Sequence, residues 1–256
     1  MFGELRKNGY AVFPHAFDRD SCEELKSACY EARDKFRQEV SLEQTKRAKE
    51  EGVIRCPMKY SRVFYKLMEN PHIRQIVDEE MGKFSILHLQ NAFILPPDNS
   101  GEIFQTTFHK DFPRYLSGFR ASLNVFVAVT DFNSDNGALR VVPGSHQSPE
   151  TRGSAYLERH SVPVHCPAGS LIVFDSTLYH AAGQNRTRTD RIGINHQFTP
   201  HWIKPQIDYV RALGEETVLG CTPEVQRLLG WHSRVPSSLS EYYRPESERV
   251  YRGGQG

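Results

Sequence analysis

Between residues 84 and 198 the sequence breaks into short apolar runs divided by turn residues, and this texture leaves few folds open. The runs cover 84–95, 121–130, 138–142, 170–175 and 191–198. Pro96 and Pro97, the cluster 133–137, Pro143-Gly144-Ser145 and Pro167-Ala168-Gly169 punctuate them. Prolines cannot continue a sheet ladder, and glycine and asparagine accept the backbone angles of tight turns, so these clusters end strands. Strands this short and this regularly spaced predict a mainly β fold with flanking helices, an antiparallel jelly roll or barrel.

The rest of the chain reads as cover for that core. Residues 9–14 form a short strand stopped by Pro14, and Asp18 opens a helix with Leu25, Ala28, Cys29 and Ala32 at helical spacing. The stretch 42–61 is dense in Lys, Glu and Arg with weak apolar periodicity, which suits a mobile lid or a solvated helix. Pro71 starts another helix that Gly82 closes, and further helices are expected around 207–213 and 223–229. The 256 residues suffice for a single domain, divided into N-terminal helices (about 18–82), a β core (about 84–200) and a C-terminal extension (about 201–256).

Bulk properties remove several function classes. A net charge of +1 offers no general attraction for nucleic acid or an acidic membrane surface. No apolar run approaches the length of a membrane span. The opening MFGELRKNGY has no apolar segment of the secretory kind. Five cysteines, odd in number and scattered without a Cys-x-x-Cys, argue against a disulfide framework or a zinc knuckle. A cytoplasmic location is therefore expected, with Cys22 and Cys29 serving packing.

Chemistry concentrates in His109-Lys110-Asp111, followed much later by His180 and then Arg191. On an extended segment, residues i and i+2 point to the same side, so His109 and Asp111 can share one ion while Lys110 faces away. A returning strand can bring His180 to the same place. Two imidazoles and one carboxylate on one face of an octahedral ion form the 2-His-1-carboxylate set that suits non-haem Fe(II) and leaves positions open for reactants. Arg191 begins an apolar strand, and a guanidinium turned inward needs a carboxylate partner. Each feature has an ordinary alternative: a strand-end pair for His109 and Asp111, a hydrogen-bonded core histidine for His180, and a surface ion pair for Arg191. Arg186 and Arg188 sit in a polar loop, where the surface reading holds.

The order and spacing of several segments resemble the phytanoyl-CoA dioxygenase (PhyH-like) family of Fe(II)/2-oxoglutarate oxygenases. These are Thr107-Phe108-His109-Lys110-Asp111, the segment 136–146 ending in Pro143-Gly144-Ser145-His146, the segment 168–175, and 179–185 followed by Arg191. With the opening strand they span most of residues 5–200. The resemblance implies a double-stranded β-helix, cupin-like, with His109, Asp111 and His180 on iron and Arg191 on the 5-carboxylate of 2-oxoglutarate. It also implies O2 as oxidant, succinate and CO2 as products, and hydroxylation of an unactivated C–H in a small-molecule substrate. Related halogenases carry Gly or Ala in place of the carboxylate, so Asp111 favours hydroxylation. His146 falls in what looks like a structural turn and is not taken as a ligand.

Thr107 and Gln90 are candidates to face 2-oxoglutarate from neighbouring strands. Asn124 shares a strand face with Phe126, and both are candidates to line the interior; packing is the alternative for all four. Related oxygenases have Arg-x-Ser where this chain has Arg191-Ile192-Gly193, so no hydroxyl contact is expected there. Residues 42–66 and 112–118 are candidates for the substrate mouth, where Lys59, Arg62 and Arg114 hint at an anionic substrate or form a solvated rim. Two rival readings stay open: a cupin-like metal enzyme that does not use 2-oxoglutarate, and a non-catalytic metal-binding domain.

Overall fold

The computed structural model describes residues 2–98 and 104–249. Nine strands follow in chain order: β1 (Tyr10–Phe13), β2 (Val53–Arg55), β3 (Ser85–Leu95), β4 (Leu123–Ala128), β5 (Leu139–Val141), β6 (Val162–Pro163), β7 (Leu171–Asp175), β8 (His180–Ala182) and β9 (Arg191–Pro200). They form a six-stranded sheet in the order β1-β7-β4-β9-β3-β2 and a three-stranded sheet in the order β6-β5-β8. Every strand pairing is antiparallel.

The central strands read as continuous apolar runs because both of their faces are covered. Val125 and Val127 of β4, with Leu171 and Val173 of β7, enter the larger core beneath the helices. Their alternate neighbours Phe126, Ala128, Ile172 and Phe174 enter a smaller core that also holds Leu139 and Val141 of the small sheet. The smaller core therefore fills the space between the two sheets. On β9 the same alternation sends Ile192, Ile194 and Phe198 to the helix side. Arg191, Gly193, Asn195 and Gln197 accordingly face the small sheet.

Helices cover the outer face of the large sheet. The N-terminal helix α1 (Phe2–Asn8) precedes β1, and α2 (Arg19–Glu39) follows it. Asp18 caps α2 by accepting from the Ser21 backbone N–H at 2.8 Å. Its buried stripe is Cys22, Leu25, Ala28, Cys29, Ala32 and Phe36, so the two cysteines are packing residues. All five cysteines are free thiols. The stretch 42–61, expected to be a lid or a solvated helix, begins as a solvated helix, α3 (Leu42–Arg47), with no buried residue, and then forms β2, which docks on the edge of β3. Helices α4 (Val63–Glu69) and α5 (Pro71–Met81) complete this layer.

The C-terminal extension contributes Tyr209, Val218, Val225, Leu228 and Leu229 to the larger core. Each buried side chain of this size stabilises by about 1.5–3 kcal/mol, so the extension is integral to the fold. Its last residues, 250–256, lie outside the described ones.

Candidate metal centre

His109 and His180 meet where the small sheet abuts the loop before β4. Their backbones exchange two hydrogen bonds of 3.0 Å, an isolated antiparallel bridge that fixes one imidazole beside the other. Asp175 makes the preceding turn by accepting from the Thr177 backbone N–H at 2.9 Å and the Thr177 hydroxyl at 2.6 Å, which returns the chain into β8 at His180. The Asp111 carboxylate Oδ1 lies 3.3 Å from His109 Nε2 and 3.6 Å from His180 Nε2. One candidate ligand atom from each of the three residues falls within 4.8 Å of the others. Lys110 points elsewhere, with its ammonium 4.5 Å from the centre of the Tyr179 ring.

The tautomers follow from the hydrogen bonds. His109 Nδ1 is 2.8 Å from the Thr107 carbonyl, and His180 Nδ1 is 3.0 Å from the Leu178 carbonyl. A carbonyl only accepts, so each Nδ1 carries a proton, and Nε2 is the atom that would present its lone pair to a cation. Burial pushes the His180 pKa down to about 4, aided by the charge of His109, so this imidazole is neutral. Burial alone would raise Asp111, but its coupling to the His180 and His109 imidazoles and the hydrogen bond from Asn124 outweigh it and hold the carboxylate well below its usual range. Two neutral lone pairs and one anionic oxygen, converging on one point, suit a divalent cation of borderline hardness.

A cavity opens beside this cluster, and His109, Asp111, His180 and Arg191 all line it. Arg191 is 4% exposed, and its Nε has no hydrogen-bond partner. The guanidinium lies 4.7 Å from the centre of the Phe132 ring and has no carboxylate partner among the described residues. Burial pulls its pKa down to about 10, which leaves it charged at neutral pH. Phe93, Phe126, Phe174, Leu89, Leu139, Asn91 and Asn195 complete the deep walls.

The remaining expectations divide. Phe126 lines the cavity as expected. Gln90 does not: its side chain lies on the helix side, donating to the Phe64 carbonyl at 3.0 Å and meeting His196 Nε2 at 2.9 Å. Its neighbour Asn91 takes the inward position, opposite Asn195 on β9. A bulge between Leu87 and Leu89 resets the alternation of β3, but the cross-strand partner decides the face. Leu95 pairs with inward-facing Arg191, so odd-numbered residues of this stretch face in. Thr107 is exposed and offers its carbonyl to His109 instead of its hydroxyl to the cavity. Asn124 does not line the cavity either; its amide donates to Asp111 Oδ2.

Lys59, Arg62 and Arg114 are not at the mouth. Lys59 is held by Glu39 at 2.6 Å, and Arg114 lines a different depression with Arg6 and Arg120. The mouth residues are Glu50, Glu51, Arg55, Phe104, Gln105 and Gln206. The sequence reading placed only part of this rim, because Gln206 arrives from the extension after β9.

Comparisons with known proteins agree with this geometry. The family described as phytanoyl-CoA dioxygenase (PhyH) matches residues 5–193. The chain belongs to this family. A functionally uncharacterised protein of Mycobacterium tuberculosis is 49% identical over 251 residues, covering 97% of this chain and 92% of its own length. The dioxygenase cdmA of Talaromyces verruculosus is 34% identical across 62% of this chain and 52% of its own length. Among solved structures, the non-haem monooxygenase ThoJ in complex with nickel matches with a TM-score of 0.61 at 22% identity, covering 80% of this chain and 79% of its own. The non-haem alpha-ketoglutarate-dependent epimerase SnoN matches with a TM-score of 0.59 at 18% identity, covering 78% and 79%. At these identities the structural likeness is one of fold. As a PhyH family member with a His-Asp-His cluster, the chain is an oxygenase-like enzyme of the non-haem iron type. No helix among the described residues is long and apolar enough to cross a membrane.

Proposed function

We propose that this chain is an Fe(II)/2-oxoglutarate-dependent dioxygenase that hydroxylates an unactivated C–H bond of a small molecule. The observation that carries the reading is Arg191, a buried guanidinium with no carboxylate partner among the described residues, in the same cavity as the His-Asp-His cluster. A buried charge costs several kcal/mol unless an anion meets it. The 5-carboxylate of 2-oxoglutarate would meet it in a bidentate contact and leave the 2-oxo acid end free to reach the metal.

His109, Asp111 and His180 would hold Fe(II). Bound there with 2-oxoglutarate and O2, the iron supplies the oxidising power that inserts one oxygen into substrate and leaves succinate and CO2. The protein's own part is arrangement. The carbonyls of Thr107 and Leu178 keep both imidazoles in the ligand tautomer. Rings flank the two histidines, with Phe104 4.5 Å from His109 and Phe174 4.8 Å from His180 between centroids. With Phe93 and Phe126 they give the cavity apolar walls that exclude water and grip a hydrocarbon surface.

The mouth favours a substrate without negative charge. Arg55 is tied to Glu50 at 2.9 Å and to Gln206 at 3.0 Å, so it offers no free cation, and Glu51 faces Lys46 at 4.0 Å. On the same reading, the two sheets are the walls of a double-stranded β-helix and residues 2–249 make one domain. Five free thiols suit a cytoplasmic location.

Anaerobic titration with Fe(II) and then 2-oxoglutarate tests the proposal. A visible charge-transfer band should appear in the wild-type protein and weaken strongly in Arg191→Ala. Iron binding without a band would remove 2-oxoglutarate and favour the cupin-like alternative.

A further inference from the structure

A buried chain of hydrogen bonds runs from β9 to the carboxylate of the candidate metal centre. Gln197 Nε2 donates to Ser122 Oγ at 2.8 Å. Ser122 Oγ lies 2.8 Å from Ser176 Oγ, which lies 2.5 Å from Asn124 Oδ1. The Asn124 amide nitrogen then donates to Asp111 Oδ2. All four residues of the chain are at most 1% exposed, so water does not substitute for any link.

The direction of every bond is dictated from the Asp111 end. An ionised carboxylate only accepts, so Asn124 must present its NH2 group to it. Its Oδ1 therefore faces Ser176 and must receive that hydroxyl proton. With its proton spent, Ser176 can only accept from Ser122, and Ser122 in turn can only accept from the Gln197 amide. No member can turn without leaving a buried polar atom unpaired, which costs about 1–3 kcal/mol. The lock has one consequence at the centre. Oδ2 is occupied by Asn124, while Oδ1 is the oxygen turned to His109 and His180.

We infer that Asn124, fixed in orientation by Ser176, Ser122 and Gln197, is a positioning residue that makes Asp111 a one-oxygen ligand and aims that oxygen at the two imidazoles. The inference rests on the metal-centre reading above. Asn124 does not line the cavity, and it acts through Asp111. Holding the carboxylate to one oxygen keeps a coordination position from being filled by Oδ2, a position that reactants need.

Co(II) serves as the probe, because its visible ligand-field spectrum reports coordination number without turnover. Wild-type, Asp111→Ala, Asn124→Ala and Ser176→Ala proteins are compared for Co(II) affinity, for that spectrum and for Tm. Outer hydrogen-bond partners of metal ligands typically change affinity by about 10–100-fold. The expected result is a loss of about that size in Asn124→Ala, with an altered spectrum because Oδ2 becomes free to coordinate. Ser176→Ala should show a smaller loss in the same direction, with Asn124 still present but no longer locked. Wild-type affinity and spectrum in Asn124→Ala would overturn the inference. If that variant does not fold, an unchanged Ser176→Ala overturns it instead. A wild-type protein that does not bind Co(II), or binds it equally after Asp111→Ala, would sink the metal centre itself and the positioning role with it.

Discussion

At the scale of single residues, Gly193 explains a departure from related oxygenases better than loss of a hydroxyl does. A Cβ at this position would sit 2.1 Å from Phe126 Cε1 and 3.2 Å from Phe132 Cζ. Phe126 packs against Phe93 with centroids 5.7 Å apart, and Phe132 is the ring beneath Arg191. The missing side chain is thus what lets an aromatic wall stand beside the guanidinium. Gly193→Ala should displace Phe126 and destabilise the fold by about 1–3 kcal/mol, the usual cost of overpacking. Thermal unfolding checks it, and an unchanged Tm would show that the ring has room to move. The three candidate ligands were legible in the sequence because metal chemistry restricts both residue type and spacing. The residues around them were not: Asn124 and Gln90 look equivalent as inward amides, yet Asn124 meets Asp111 and Gln90 meets the Phe64 carbonyl on the helix side. Counting back from Arg191 through its pairing with Leu95 would have found Asn91.

At the scale of elements, β2 is the piece that sequence reading missed. Its residues Val53 and Ile54 are buried, yet they lie in a stretch dominated by charge. A strand of three residues has too little periodicity of its own to register. It exists because β3 offers it an edge: Val53 pairs with Phe93, and the Ile94 N–H donates to the Gly52 carbonyl at 2.8 Å. Gly52 permits this approach, with φ +82° and a would-be Cβ only 2.3 Å from the Ile94 carbonyl oxygen. Since β2 carries Val53 and Arg55 into the cavity wall, its docking shapes the mouth. Gly52→Ala should undock β2 while leaving the metal cluster intact. Faster proteolytic cleavage within 48–56 at nearly unchanged Co(II) affinity is the expected pair of results. Equal protection of that segment in the variant would mean the strand tolerates the side chain. The longer strands were legible for the opposite reason, since β3, β4, β7 and β9 each hold several apolar residues in a short run bounded by turn residues.

At the scale of the whole molecule, the arrangement that serves the site also sets how stability responds to acid. The large sheet buries His196 completely, between the Gln90 amide at 2.9 Å and the Val125 carbonyl at 3.3 Å. The carbonyl requires a proton on Nδ1, so Nε2 accepts from Gln90 and the ring is neutral. Burial pulls the pKa of His196 from 6.5 down to about 4. His180 shifts in the same direction for the same leading reason. In the unfolded chain both rings regain ordinary values, so between about pH 6.5 and 4 the unfolded state binds more protons than the native one. Stability therefore rises with pH across that window and is lost as pH falls through it, by on the order of 3 kcal/mol for each ring. His109 opposes this in part: burial lowers its pKa, but its pairing with the Asp111 carboxylate outweighs burial and raises it. Urea unfolding of the metal-free protein at several pH values gives the slope, and His196→Leu, which removes the titrating group, should make it shallower. An identical slope in that variant would show that His196 keeps its proton equilibrium on folding, and the neutral Gln90–His196 pair would have to be abandoned.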